Sequence, residues 1–251
     1  SAVMSRNVTI IDDENKPKVF ISDATVGEGG TLLFTVTTDV AAEYEVSFNF
    51  ATVAGLNPTA LLNATGNVDY TNLSGRITLA SLAMTTSINV ISIQDLIDEN
   101  DELFNVTLSA LSSNLDPGDV SGLGTITDDD LAPILAVSDL SINEGDTGVL
   151  NVSLTSISGL PVVFTLTTSN GGNVDPNLNA VAPGDYTAVT LTTVTIPAGS
   201  TIYAVNLVTI EDLSDEQNEG FLATVSAVSN ASTGQLISNV TITDDDGPPL
   251  L

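Results

Sequence analysis

The chain has 251 residues, no cysteine, no histidine and a formal charge of −28, from 32 acidic residues against four basic ones, Arg6, Lys16, Lys18 and Arg76. These absences exclude a disulfide framework, thiolate or imidazole metal ligation and every Ser/His or Cys/His dyad, and so few cations exclude nucleic acid as a partner. No apolar run approaches the roughly 20 residues of a membrane helix, and residues 1–18 lack the apolar core of a signal peptide, so we expect a soluble segment whose targeting signal lies elsewhere.

Hydrophobic residues make up 42% of the sequence, but aromatics are only 4% and Trp is absent, so the cores must be built from Val, Ile, Leu and Ala. Thr, Ser, Val and Asn recur in short alternating runs and no long stretch has an apolar stripe at helical spacing, which predicts an all-β chain.

Residues 1–16 read as the last strand and acidic end of a preceding repeat, closing on Thr9-Ile10-Ile11-Asp12-Asp13-Glu14. Pro17 follows, and a first full repeat is predicted over 17–131. It carries Glu28-Gly29 and then a strand over Tyr44 to Thr52. In that strand Val46, Phe48 and Phe50 are predicted to face one side and Glu45, Ser47 and Asn49 the other. Next come Asp69-Tyr70 and the loop Asp95-Leu96-Ile97-Asp98-Glu99-Asn100-Asp101-Glu102-Leu103-Phe104. Phe104, Val106 and Leu108 then alternate along a further strand, and the repeat ends on Thr125-Ile126-Thr127-Asp128-Asp129-Asp130.

Pro133 opens the second repeat, over 132–251, in which the landmarks return 116 residues later as Glu144-Gly145, Asp185-Tyr186 and Thr241-Ile242-Thr243-Asp244-Asp245-Asp246. Val162, Phe164 and Leu166 alternate as before. The acidic loop returns one residue late, as Asp212-Leu213-Ser214-Asp215-Glu216-Gln217-Asn218-Glu219-Gly220-Phe221, a length change that a surface loop absorbs. Proline suits a short stiff junction after each acidic end. One wet and one dry face on several short strands is the pattern of two antiparallel sheets packed as a sandwich.

Of the 32 acidic residues, 23 fall within these motif segments once Glu211, just before the second loop, is counted with them, so the charge is clustered at repeated positions and is not a diffuse coat. Two unit charges about 4 Å apart repel by roughly 4 kcal/mol at an effective dielectric near 20. Carboxylates gathered at one end of a sandwich therefore require a cation, protons or wide separation. A donor set of hard oxygens without His or Cys selects calcium over zinc or copper. Residues two apart on a strand lie on one side roughly 6 to 7 Å apart, so Asp128 and Asp130 can flank one ion while Asp129 turns toward another. Sequons at Asn7, Asn63, Asn72, Asn105, Asn151, Asn230 and Asn239 matter only in a glycosylating source. The four tyrosines are too scattered for a sugar-binding platform and read as core or corner residues.

The order Glu-Gly, Asp-Tyr, Asp-x-x-x-Glu-x-x-Glu-x-Phe and Thr-Ile-x-Asp-Asp-Asp resembles the Calx-beta repeat of sodium/calcium exchangers, integrin β4 and large bacterial surface proteins. The resemblance implies two tandem immunoglobulin-like antiparallel β-sandwiches of Calx-beta type, each seven-stranded, binding Ca2+ in loops at one end. Carried over by motif position, the first repeat's metal ligands are Glu28, Asp69, Asp95, Glu99, Asp128, Asp129 and Asp130. Those of the second are Glu144, Asp185, Asp212, Glu216, Asp244, Asp245 and Asp246. Glu102 and Glu219 are assigned structural hydrogen bonds. The position before the loop aspartate, acidic in the exchangers, is Gln94 in the first repeat and Glu211 in the second, which predicts fewer ions or weaker binding in the first.

The expected function is a calcium-binding structural and adhesive module of an extracellular or cell-surface protein or filament, not an enzyme. Calcium would rigidify the junctions between repeats. Its partners would be neighbouring repeats of the same chain or head-to-tail copies, with a cell-surface or matrix ligand, and without direct membrane insertion. A regulatory calcium sensor is the alternative, and a glycoside hydrolase acting through paired carboxylates is a remote one.

Overall fold

The structure, a computed structural model, describes residues 14–55, 62–172, 175 and 178–248. The expected terminal strand of a preceding repeat, with Arg6 and Asn7, lies almost wholly outside them. Among the described residues there is no helix long and apolar enough to cross a membrane. The chain divides into two compact units. The first holds residues up to Asp95 together with Asp101–Asp128, and the second holds Leu96–Asn100 together with the chain from Asp129 onward.

The first unit is a sandwich of two sheets. Strands β1 (Lys18–Ile21), β2 (Ala24–Gly27), β3 (Thr31–Thr38), β4 (Val46–Ala54), β5 (Ser74–Leu79), β6 (Thr85–Ile91), β7 (Glu102–Ser109), β8 (Asp116–Pro117) and β9 (Ser121–Thr127) follow in chain order. They assemble as β6-β3-β1-β8 in one sheet and β2-β9-β7-β4-β5 in the other. The second unit repeats the plan with β10 (Ile134–Val137), β11 (Leu140–Asn143), β12 (Thr147–Leu154), β13 (Val162–Asn170), β14 (Thr190–Ile196), β15 (Ile202–Val208), β16 (Glu219–Ser229), β17 (Ser232–Thr233) and β18 (Ile237–Thr243). Its sheets are β15-β12-β10-β17 and β11-β18-β16-β13-β14.

The inward residues are those that alternation predicts. Leu32, Phe34 and Val36 of β3, and Leu150 and Val152 of β12, are buried, as are Phe104, Val106 and Leu108 of β7 and Val162, Phe164 and Leu166 of β13. Ser47 departs from expectation. It was predicted to face outward, but it is buried, because residues 110–115 fold over it. The Ser112 amide donates to the Ser47 carbonyl at 2.8 Å, the Ser47 amide donates to Ser112 Oγ at 3.1 Å, and Arg76 Nη2 donates to Ser47 Oγ at 2.6 Å.

Each sandwich begins with a strand that changes sheets. β1 runs antiparallel to β3, whereas β2 runs parallel to β9 in the opposite sheet, and β10 and β11 do the same against β12 and β18. An aspartate secures each crossing, since the Leu123 amide donates to Asp23 Oδ1 at 2.7 Å and the Asn239 amide to Asp139 Oδ1 at 2.8 Å. The crossing brings the ends of β2 and β11, and hence Glu28 and Glu144, beside the ends of β9 and β18, which run straight into the triple aspartates. The Glu28 amide donates to the Thr127 carbonyl at 3.2 Å and the Glu144 amide to the Thr243 carbonyl at 3.1 Å.

Aromatic stacking fixes the other motif positions. Tyr70 and Tyr186 are buried and stack on Phe104 and Phe221, with ring centroids 4.1 Å and 3.9 Å apart. The Asp-Tyr and Glu-x-Phe motifs therefore meet in the core and hold the adjoining acids at the pole. Tyr44 is not a core residue, being 74% exposed.

Candidate metal centre

In the second unit β11 ends in a tight turn over Asn143–Asp146, in which the Asp146 amide donates to the Asn143 carbonyl at 3.3 Å. Gly145 has φ +67°, a left-handed conformation that favours glycine. A Cβ at Gly145 would also stand 2.4 Å from Glu211 Oε2. The turn presents Glu144 to the triad after β18, and Glu144, Asp244 and Asp246 each bring one carboxylate oxygen within 4.8 Å of the others. Glu144 Oε2, Asp244 Oδ1 and Asp246 Oδ2 are buried and have no hydrogen-bond partner. A buried anionic oxygen without a donor is costly, and three carboxylates so close together are a set that a hard cation satisfies.

The loop Asp212–Glu219 adds its charges to this group. Loss of solvent, then the charges of Asp212, Asp244, Glu216 and Asp246, push Glu144 up to about 7. Loss of solvent and then Asp212, Asp185 and Asp244 raise Glu216. The same cause, followed by Asp244, Asp245, Asp212 and Asp215, raises Asp246, and followed by Asp245, Asp246, Asp212 and Asp146 it raises Glu211. Asp212 is braced by its own turn, with the Ser214 amide donating to its Oδ1 at 2.7 Å.

Asp185 lies beside Glu219, a residue that sequence reasoning left out. Burial, then the charge of Asp185 and a hydrogen bond to it, push Glu219 up to about 7. In the first unit the matching Asp69 and Glu102 also bring carboxylate oxygens within 4.8 Å of each other. Both glutamates thus stand within the acidic cluster, and Glu219 also makes the kind of structural hydrogen bond expected of it. The signal lay in parity: Glu102 and Glu219 are two residues before inward-facing Phe104 and Phe221.

Of the ligands expected for the first repeat, the first unit carries Glu28, Asp69, Asp95 and Asp128. Glu28 Oε2 accepts from Gln94 Nε2 at 3.3 Å and from the Asp95 amide at 3.5 Å, so an amide stands over Glu28 where the second repeat has Glu211. Asp101 Oδ1 accepts from the Asp128 amide at 3.2 Å, and Asn218 Oδ1 accepts from the Asp244 amide at 3.3 Å, so corresponding loop positions start both triads. Glu99, Asp129 and Asp130 fall to the second unit, where the Glu99 carboxylate lies over Gly159 and Asp130 Oδ2 is buried without a partner.

The Calx-beta domain family model matches residues 12–130 and again residues 128–246. The chain belongs to the Calx-beta family. Calx-beta domains bind Ca2+ and are regulatory or structural modules, not enzymes, and here two of them stand in tandem. Among solved structures the chain is similar to CBD12 from CALX1.2, at 16% identity over 90% of this chain and 99% of that one, with a TM-score of 0.42. It is also similar to the calcium binding domain CBD12 of CALX1.1, at 16% identity over 90% and 99%, with a TM-score of 0.43. The apo-form Calx CBD1 domain is 19% identical over 46% of this chain and 100% of its own, with a TM-score of 0.42. These likenesses are distant, and family membership does not rest on them. No curated protein matches the chain.

The acids of this Calx-beta centre give the metal-free protein an inverted pH dependence. Burial and the neighbouring carboxylates push Glu144 and Glu219 up to about 7 in the folded state, against 4.5 ordinarily. Between those values the folded state holds more protons than the unfolded one, so stability is greatest in the acid part of the window and falls as pH rises through 7. Chelator-treated protein is expected to melt several degrees higher at pH 5.5 than at pH 8. A lower melting temperature at pH 5.5 would contradict the assignment.

Proposed function

We propose that each repeat holds calcium at its acidic pole and that the ions serve a structural role, stiffening a rod of repeats in an extracellular or cell-surface protein. In the second repeat the ligands are Glu144, Asp185, Asp212, Glu216, Asp244, Asp245 and Asp246, with Glu219 completing the side nearest Asp185. In the first they are Glu28, Asp69, Asp95, Glu99, Asp128, Asp129 and Asp130, with Glu102. The observation that carries the reading is that Glu144, Asp244 and Asp246 bring carboxylate oxygens within 4.8 Å of one another and that each residue also has a buried oxygen without a hydrogen-bond partner. A divalent cation answers all three at once, whereas a proton on Glu144, whose carboxyl is pushed up to about 7, answers only one of them.

On this reading the repeats run over 17–131 and 132–251, and their partners are neighbouring repeats or head-to-tail copies of the chain. A cell-surface or matrix ligand would engage the rod elsewhere. Calcium suits the centre better than magnesium, because the donors come from four separate segments and make an irregular shell, whereas magnesium demands a near-ideal octahedron and gives up its water reluctantly.

Calorimetric titration of chelator-stripped chain with calcium and, separately, magnesium tests the proposal. The expected result is calcium binding at roughly 0.1 to 1 mM, the range of extracellular modules, with magnesium much weaker. Two classes of site are expected, the tighter one weakened by Glu211→Gln, since the first repeat already has Gln94 at that position. Micromolar affinity would turn the reading to a regulatory sensor. Absence of calcium binding would end it.

A further inference from the structure

The inward faces of β6 and β15 carry a feature beyond the acids. Ile88 and Val90 point into the first core, and Val205 and Leu207 into the second. The next inward position in each is a hydroxyl residue, Ser92 or Thr209, only 1% and 2% exposed. A hydroxyl at such a position is unfavourable unless it is hydrogen-bonded. Ser92 Oγ lies 3.1 Å from the carbonyl oxygens of both Gly27 and Gly30. Thr209 Oγ1 lies 2.7 Å from the Asn143 carbonyl oxygen and 3.0 Å from that of Asp146. In both units the single hydroxyl hydrogen is shared between the carbonyls at the two ends of the turn that carries Glu28 or Glu144.

The backbone at this position gathers the rest of the centre. The Ser92 amide donates to the Gly30 carbonyl at 3.0 Å and the Thr209 amide to the Asp146 carbonyl at 3.1 Å. One residue on, the Ile93 amide donates to the Asp69 carbonyl at 2.8 Å and the Ile210 amide to the Asp185 carbonyl at 2.9 Å. Three residues on stand Asp95 and Asp212. Carboxylate-bearing segments from three distant parts of each repeat therefore meet at this short stretch of backbone, and its buried hydroxyl ties down the one that carries the glutamate. Serine in one copy and threonine in the other share only the hydroxyl, so the hydroxyl is what the position requires.

We propose that Thr209 and Ser92 are positioning residues for calcium, holding the glutamate turn in register with the acidic loop. The inference rests on the calcium reading above. Thr209→Val keeps the side-chain shape and removes the donor, Thr209→Ser keeps the donor, and Ser92→Ala and Ser92→Thr make the same contrast in the first repeat. Val205→Ala loosens the same core without touching the turn.

Each full-length variant is titrated calorimetrically with calcium and melted in EDTA. Thr209→Val is expected to weaken one class of sites at least tenfold while Thr209→Ser stays within threefold of the parent. Ser92→Ala should weaken the other class and Ser92→Thr should not. Val205→Ala should lower the metal-free melting temperature with affinity unchanged, which separates positioning from general stability. Parental affinity in Thr209→Val, equal losses in Thr209→Val and Thr209→Ser, or an equal loss in Val205→Ala would overturn the inference. If Thr209→Val does not fold, the Ser92 pair decides by the same criteria. A parent chain that takes up no calcium removes the calcium reading and this inference together. A parent that binds and a Thr209→Val that binds equally removes only this one.

Discussion

Stripping calcium with EDTA at pH 7.5 is expected to lower the melting temperature of the chain by roughly 15 °C relative to protein in millimolar calcium. A ligand that binds only the folded state stabilises it by RT ln(1 + [L]/Kd), about 1.8 kcal/mol for one site at twenty times its Kd. Two such ions in a repeat contribute about 3.6 kcal/mol, and a domain of this size shifts by roughly 4 °C for each kcal/mol. That figure already contains the repulsion the ion relieves, since the carboxylates that raise Glu144, Glu216 and Asp246 remain close together once the ion has gone. Differential scanning calorimetry with and without chelator measures the difference. A melting temperature indifferent to EDTA would mean that the poles tolerate their charge without metal, against the geometry of Glu144, Asp244 and Asp246.

The sandwich and its poles were legible because the repeat supplied two copies of each signal. Alternation over Tyr44–Thr52, in β7 and in β13 gave the dry faces, and the recurrence of Glu-Gly, Asp-Tyr and the triple aspartate marked which loops belong together. The roles of Tyr70 and Tyr186 are the physical reason why those motifs recur: each ring stacks on the phenylalanine that ends the acidic loop, so the acids on either side are carried to one end of the core. Ser92 and Thr209 were passed over and Glu102 and Glu219 were left out of the ligand set, although alternation along β6, β15, β7 and β16 places all four inward. Inward polar residues at strand ends are where a sandwich turns from core to site. Burial of Ser47 could not be read in this way, because it depends on residues 110–115 folding over an otherwise outward position. The hydrogen bond from Gln94 to Glu28 was equally hidden, since sequence gives the loss of a charge but not where the amide points.

Glu144→Gln is expected to change the sign of its effect with calcium. In EDTA at pH 8 the wild-type carboxylate is held ionised against Asp212, Asp244, Glu216 and Asp246, although these and its burial favour the proton up to about 7. The amide carries no charge and nearly the same volume, so the metal-free variant should melt higher than the parent. In calcium the same change removes an anionic ligand, and because ligand charge sets affinity in such oxygen sites, binding should weaken by about 10- to 100-fold. The variant should then melt lower than the parent. A residue important only for packing would lower both melting temperatures, and a solvated surface acid would move neither. The crossover is thus specific to a carboxylate strained without its ion and satisfied with it. Glu28→Gln should show a smaller metal-free gain, because Glu28 already accepts hydrogen bonds from Gln94 Nε2 and the Asp95 amide. Equal gains at the two positions would show that Gln94 does not relieve the first centre as its geometry implies.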